Sequence, residues 1–199
     1  MRLLRFLTVP VVFVAMTMPA MAEKLSLNAL SAFLNDMKTA KAAFTQINND
    51  GSVSTGHVYI KRPGRVRFEY DPPEKALVLA SANTVAIFDG RSNQPPESYP
   101  LKRTPLSVIL ARNVNLGAAN MVVGHEYDGT ATMVTAQDPE HPEYGNIQLR
   151  FTDGPIELRQ WIINDGSGGR TTVILGEMES GLPLKNTIFN IELHLQRTQ

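Results

Sequence analysis

No cysteine occurs anywhere in the 199 residues. Its absence excludes disulfides, thiolate metal sites, a cysteine nucleophile and a lipid anchor carried on cysteine. Tryptophan occurs once, and neither sign of charge is in excess, with 19 basic and 19 acidic side chains. So even a balance does not suit a polyanion binder, and no nucleic-acid partner is expected. The four histidines, His57, His125, His141 and His194, are scattered, with no second histidine or carboxylate at zinc-ligand spacing. No metal site and no cofactor are therefore predicted. Gly166-Ser167-Gly168-Gly169 lacks the frame of a nucleophile elbow and the lysine ending of a phosphate-binding loop, and reads as a hairpin turn. Asp138, Glu140 and Glu143 fall in a polar loop, where a solvated role is expected. With no nucleophile, base and metal set, the chain is not expected to be an enzyme.

The chain opens on a leader pattern. Arg2 and Arg5 precede an apolar run from Phe6 to Met18, and Ala20-Met21-Ala22 supplies a small-x-small cleavage site. Residues 1–22 therefore read as a secretory signal peptide. The run falls short of the ~20 apolar residues a spanning helix needs, and Pro10 interrupts it. Loss of the leader leaves residues 23–199 as one domain, with 17 basic side chains against 19 acidic. Apolar residues at 43% and charged residues at 19% suffice for a packed core. An exported protein is expected, in the periplasm if the cell is Gram-negative.

Ser26 is placed to cap a short helix whose apolar stripe is Leu30, Phe33, Leu34 and Met37. From Lys41 the period changes to two. Strands are predicted over 42–48, 56–62, 65–70, 76–81 and 85–88, and then a proline-rich loop over 89–100. In the third of these Val66, Phe68 and Tyr70 share one face and Arg65, Arg67 and Glu69 the other, so the sheet should be wet on one side. Thr104 and Pro105 predict a second short helix, capped by the threonine and running to about Arg112, with Leu106, Ile109 and Leu110 as its apolar face. Strands over 121–127, 130–137, 146–152, 156–164 and 170–179 follow, with Asp128-Gly129, Asp153-Gly154 and Asp165-Gly166-Ser167-Gly168-Gly169 as hairpin turns. About ten antiparallel strands and two short helices suggest a mainly β (α+β) fold, a strongly curved sheet or incomplete antiparallel barrel.

One position departs from ordinary patterning. Val58 and Ile60 share a face with Arg62 if the strand stays regular, which turns a guanidinium inward. Such a group is costly among aliphatic side chains unless its donors are met, and carbonyls at a helix end would meet them. If the strand stops at Lys61, before Pro63, Arg62 is instead a surface charge beside Lys61 and Arg65. Alternation leaves both placements open.

Phe44-Thr45-Gln46, Lys61-Arg62-Pro63-Gly64, Arg67-Phe68 and Thr104-Pro105-Leu106 with Leu110-Ala111-Arg112-Asn113, in this order behind a leader, resemble the LolA family of periplasmic lipoprotein carriers. Trp161 with Asp165 and Gly166, and then Phe189, continue the resemblance. The resemblance implies an open barrel whose apolar cavity is covered by short helices. It also implies a monomeric carrier that receives acylated lipoproteins from an inner-membrane ABC transporter and hands them to an outer-membrane acceptor of the LolB type. The family's key arginine maps onto Arg62, where it would bond the covering helix and hold the empty cavity shut. The resemblance makes Phe44, Val58, Ile60, Val66, Phe68, Tyr70, Leu106, Ile109 and Leu110 the candidate lipid-binding residues. Lys61, Arg65 and Arg67 form a candidate basic strip for partner proteins. Two departures stand out. Val66 replaces a bulkier apolar residue of many members, and the hairpin over 80–88 lacks the Asp-Gly and the tryptophan often found there. A secreted β-barrel hydrolase and a periplasmic lipid- or peptide-sensing module are the rival readings.

Overall fold

The computed structural model describes residues 23–92, 94–118 and 120–198. The expected leader, residues 1–22, lies outside the described residues. No described helix is long and apolar enough to cross a membrane.

Helix α1 (Leu27–Asp36) begins where expected, with Ser26 Oγ accepting the Ala29 N–H at 3.2 Å. Five strands then follow in antiparallel succession: β1 (Thr39–Ile47), β2 (Val53–Lys61), β3 (Arg65–Tyr70), β4 (Leu77–Ser81) and β5 (Thr84–Phe88). The proline-rich stretch, expected to be a loop, ends in a sixth strand, β6 (Glu97–Pro100), at the sheet edge. Pro100 is tolerated there because an edge strand offers one side of its backbone to no neighbour.

A 3-10 turn (Leu101–Arg103) leads to helix α2 (Leu106–Leu110), shorter than the predicted segment and without its expected threonine cap. The Thr104 hydroxyl donates instead to Leu101 O at 2.8 Å, closing the preceding turn, and Pro105 takes the cap position with no side-chain bond. Five residues form no stable helix alone in water. Burial of Leu106, Val108, Ile109 and Leu110 holds this one in place.

Strands β7 (Val122–Tyr127), β8 (Thr132–Gln137), β9 (Gly145–Thr152), β10 (Glu157–Asp165) and β11 (Arg170–Leu175) form the second half. Short β12 (Glu179–Ser180) splits off from the last predicted strand, and a 3-10 turn (Asn186–Phe189) leads into helix α3 (Ile191–Thr198). The described residues thus hold twelve strands and three α-helices, against the ten and two expected.

All pairings are antiparallel, in the order β6-β5-β4-β3-β2-β1-β11-β10-β9-β8-β7, with β12 also pairing β1. The two edges, β6 and β7, are consecutive in the chain. Residues 101–121, which include α2, therefore connect one open edge to the other. The sheet is an open, curled one.

The inner face holds one core. Val66, Ile60 and Ala40 form one cross-strand row, and Phe68, Val58 and Ala42 the next. Leu30 and Leu34 of α1 and Ile109 and Leu110 of α2 close over them. Gly56 faces Phe44 on one side and Tyr70 on the other. A Cβ there would lie 2.0 Å from Glu69 O, so only glycine permits this strand spacing.

The outer face is not uniformly wet, contrary to expectation. Leu79 and Ala86, paired across β4 and β5, are fully buried because the Asn186–Phe189 turn packs over β3 and β4 with Phe189 itself fully buried. The hairpin between these strands turns on Ala82 and Asn83, both at positive φ (48° and 64°). Two such residues suit the twist of a tight hairpin, and here they do the work of the missing Asp-Gly.

Candidate functional site

Pairing of β2 ends at Lys61, yet its inward alternation runs on through Ser54, Gly56, Val58, Ile60 and Arg62. Both readings of the sequence hold in part: the strand stops, and the arginine still points inward. Arg62 is 7% exposed. Its backbone N–H donates to Lys38 O at 2.8 Å, which seats the residue against the turn after α1. One guanidinium nitrogen, Nη2, donates to Ala111 O at 2.6 Å. Ala111 is the C-terminal cap of α2, where carbonyls lack intrahelical partners and carry the negative end of the helix dipole. Burial lowers the Arg62 pKa, although a guanidinium keeps its proton in any accessible pH range. Nε is buried with no partner among the described residues.

Asn35, at the end of α1, completes this arrangement. Its Oδ1 lies 3.4 Å from Arg62 Nη2 and accepts the Val114 N–H at 2.9 Å, while Nδ2 donates to Val114 O at 2.8 Å. One turn earlier Ser31 Oγ accepts the Leu116 N–H at 3.0 Å. The loop after β2 adds a further bond, Gly64 N to Leu110 O at 2.9 Å. Sequence reading missed Asn35 and Ser31. The available signal was their spacing, i and i+4 beside the Leu30 and Leu34 stripe, which places two small polar groups on one edge of a buried helix face.

The nine apolar and aromatic candidates converge. Phe44, Val58, Ile60, Val66, Phe68, Leu106, Ile109 and Leu110 are between 1% and 8% exposed and belong to one cluster, with Tyr70 half-buried against it. Rings continue from Tyr70 to Phe44 (5.1 Å between centroids), Phe68 (5.5 Å) and Trp161 (6.1 Å), each pair edge to face. Tyr70 donates its hydroxyl to Gln46 Oε1 at 2.7 Å, and burial pushes its pKa up to about 12. The interior is closed, its walls packed on the two covering helices.

The basic strip is divided. Lys61 donates to Leu184 O at 2.6 Å and Arg67 to Ile188 O at 2.8 Å, so both fasten the C-terminal segment to the outer face. Arg67 also pairs with Glu69 at 2.6 Å. Arg65 instead lines a groove of about 520 Å³ along α2 with Lys102 and Arg112, and among the described residues none of the three has a carboxylate partner.

Residues 35–192 match the family model of the outer membrane lipoprotein carrier protein LolA. An outer-membrane lipoprotein carrier protein of Azotobacter vinelandii is 29% identical over 87% of this chain and 86% of its own. One from Pseudomonas aeruginosa is 24% identical over 96% of each chain. Among solved structures, a DUF1329 family protein from Desulfovibrio piger shares the fold at a TM-score of 0.50 and 12% identity, over 83% of this chain and 95% of that one. Since the match to the LolA family model takes in most of the chain, this protein belongs to the LolA family of outer membrane lipoprotein carriers.

Proposed function

We propose that this protein is a periplasmic chaperone that takes acylated lipoproteins released from the inner membrane and delivers them to the outer membrane, burying their acyl chains in its interior. The observation that carries this reading is Arg62, a buried cation spent on a lid carbonyl, where an ordinary core would hold an aliphatic residue. Magnitudes support it. At ~0.8 kcal/mol per buried methylene, the acyl chains of one lipoprotein cost on the order of tens of kcal/mol to expose to water. A carrier has to cover them and still let go. A closed empty state competing with the cargo gives that property, because the energy of closure is set against retention.

In this reading Phe44, Val58, Ile60, Val66, Phe68, Tyr70, Leu106, Ile109 and Leu110 separate to line the acyl chains, and uptake is stoichiometric, without bond breaking. The donor is an inner-membrane ABC transporter and the recipient an outer-membrane acceptor. Arg65, with Lys102 and Arg112 along the lid, is the part of the basic strip left to meet acidic faces on those partners. The test is release. The purified protein is added to transporter-containing vesicles loaded with lipoprotein, and the supernatant is examined for soluble one-to-one complexes. Such complexes are expected; lipoprotein that stays with the vesicles refutes the carrier reading, and lipoprotein consumed by cleavage would favour the hydrolase.

A further inference from the structure

Arg62 touches the lid through a single nitrogen, and that nitrogen has a second neighbour, Asn35 Oδ1, on a different cover. Both ends of the Asn35 amide are engaged. Oδ1 faces Arg62 Nη2 at 3.4 Å and takes the Val114 N–H at 2.9 Å, and Nδ2 gives its hydrogen to Val114 O at 2.8 Å. No carboxylate could reproduce this set, because the Val114 carbonyl requires a donor. No hydroxyl could either, being too short to meet both groups of one residue. One side chain thus joins three parts: α1, which carries it, the segment leaving α2, and the arginine from the sheet.

We infer that Asn35 is a positioning residue for the Arg62 latch, and that it makes α1 and the α2 segment release together. This rests on the carrier reading above and goes beyond it, because the latch is assigned there to Arg62 alone. Three observations carry the inference. Among the described residues the guanidinium has no acidic partner to fix it and its buried Nε is unmet, so its place depends on the acceptors around Nη2. One of these, Ala111 O, belongs to a five-residue helix that does not hold its own shape. Asn35 secures that helix three residues downstream, at Val114, and Ser31 secures it again at Leu116. Lifting α2 away from α1 breaks all of these bonds at once. Lifting both together breaks only those to Arg62 and the sheet.

The consequence is a cover that opens as one body, with Asn35 setting where the arginine sits in the closed state. An empty protein lacking this restraint is easier to open, and its apparent affinity for acyl chains rises in proportion to the population that can accept them.

The experiment is a binding titration of the purified protein with a fluorescent triacylated cysteinyl peptide, on wild type, Asn35→Ala, Asn35→Asp, Arg62→Leu and the double variant Asn35→Ala with Arg62→Leu. Asn35→Ala should bind about threefold to tenfold more tightly, the effect of one or two lost hydrogen bonds on the closed state. The double variant should match Arg62→Leu within about twofold, because Asn35 acts through the arginine. Asn35→Asp keeps the acceptor toward Arg62 and adds a charge, so its affinity should stay at or below that of wild type. A merely structural residue would shift both Asn35 variants in one direction, and that result overturns the inference. Effects of Asn35→Ala and Arg62→Leu that multiply in the double variant also overturn it, since Asn35 would then hold the lid independently. The side-chain N–H signals of Arg62 in NMR give a second measurement. They should be slow to exchange in wild type and Asn35→Asp and fast in Asn35→Ala, and equal exchange in all three overturns the inference. If Arg62→Leu alone leaves peptide affinity unchanged, the latch itself fails, whereas an effect of Arg62→Leu with none of Asn35→Ala refutes only the role given to Asn35.

Discussion

Replacing Arg62 by leucine should strengthen cargo binding while leaving the fold nearly as stable as before. Two sets of terms meet at this side chain. The bond from Nη2 to Ala111 O, at 2.6 Å, is charge-assisted and contributes about 1.5–3 kcal/mol, with a smaller share from the 3.4 Å approach to Asn35. Against it stand the burial of the charge and the unmet Nε, the latter alone costing about 1–3 kcal/mol. Leucine removes both sets, and exchange of buried ionic groups for apolar ones of similar size is often close to neutral. The melting temperature should therefore move by no more than about 4 °C, the equivalent of roughly 1–2 kcal/mol in a domain of this size.

Of these terms the Ala111 bond is the main one that depends on the cover being shut, with the longer approach to Asn35 lost beside it. Its loss shifts the balance between closed and open forms by about 1.5–3 kcal/mol, and leucine packing against Leu110 returns part of that. About tenfold tighter binding of an acylated peptide is expected, since 1.4 kcal/mol corresponds to a factor of ten. Transfer from the loaded variant to acceptor-containing vesicles should slow by a similar factor, because the empty state no longer competes for closure. The assay is a paired one, titration and transfer on the same preparation, with a thermal melt as control. A folded Arg62→Leu protein whose affinity lies within twofold of wild type, or which hands cargo over at the normal rate, refutes the reasoning.

Raising the pH should weaken the fold in a window set by Tyr70, whose pKa of about 12 in the folded chain lies above the usual value of 10 because of burial. Between these values the folded state holds a proton that the unfolded state has lost, so stability is fully present below about pH 10 and falls by up to roughly 3 kcal/mol toward pH 12. Urea midpoints across that range should drop for wild type and drop less for Tyr70→Phe; parallel curves would remove Tyr70 from the account. Gly56→Ala places a methyl 2.0 Å from Glu69 O and 3.0 Å from Phe44 Cε1, and should cost about 2–4 kcal/mol in chemical denaturation, with a cost below 1 kcal/mol counting against the close strand approach. Trp161, the single tryptophan, is fully buried beside Phe68, and its Nε1 has no partner among the described residues. Its emission should be blue in the empty protein and change on titration with acylated peptide, and an unchanged spectrum at saturation would show that the cargo does not reach the level of Phe68.

How far the sequence revealed this depended on the range of the interactions. Ser26 could be recognised as a cap because its partner, Ala29, is three residues away. The alternation of β3 was equally plain, since period two is a local property. Arg62 was undecided for the opposite reason: the carbonyl that makes an inward guanidinium tolerable lies 49 residues on, at Ala111. The Thr104 cap was mistaken because a hydroxyl can serve either the helix ahead or the turn behind, and here Leu101 O takes it. Lys61 and Arg67 read as free cations, yet they hold carbonyls of Leu184 and Ile188, more than 100 residues distant, which no pattern around β2 and β3 reports. The resemblance supplied the latch for Arg62, whereas Asn35 left only its spacing from Ser31 in the sequence, because its partners Arg62 and Val114 lie far along the chain.

The topology explains why so few bonds can govern the cover. Edges β6 and β7 are consecutive, so the lid segment, residues 101–121, is fixed at both ends to the strands it spans. It cannot swing away as a flap. In the carrier reading few bonds resist its lifting from the sheet: Leu101 N to Asn83 O at 2.8 Å, Gly64 N to Leu110 O at 2.9 Å and Arg62 to Ala111 and Asn35, while the bonds from Asn35 to Val114 travel with the cover. Both ends of the segment are held covalently, so closing it loses little chain entropy, and a handful of hydrogen bonds near 1 kcal/mol each is enough to decide between open and shut. A lid tethered at one end would need a far larger interface to close, and it would then release cargo into a state too stable to open again.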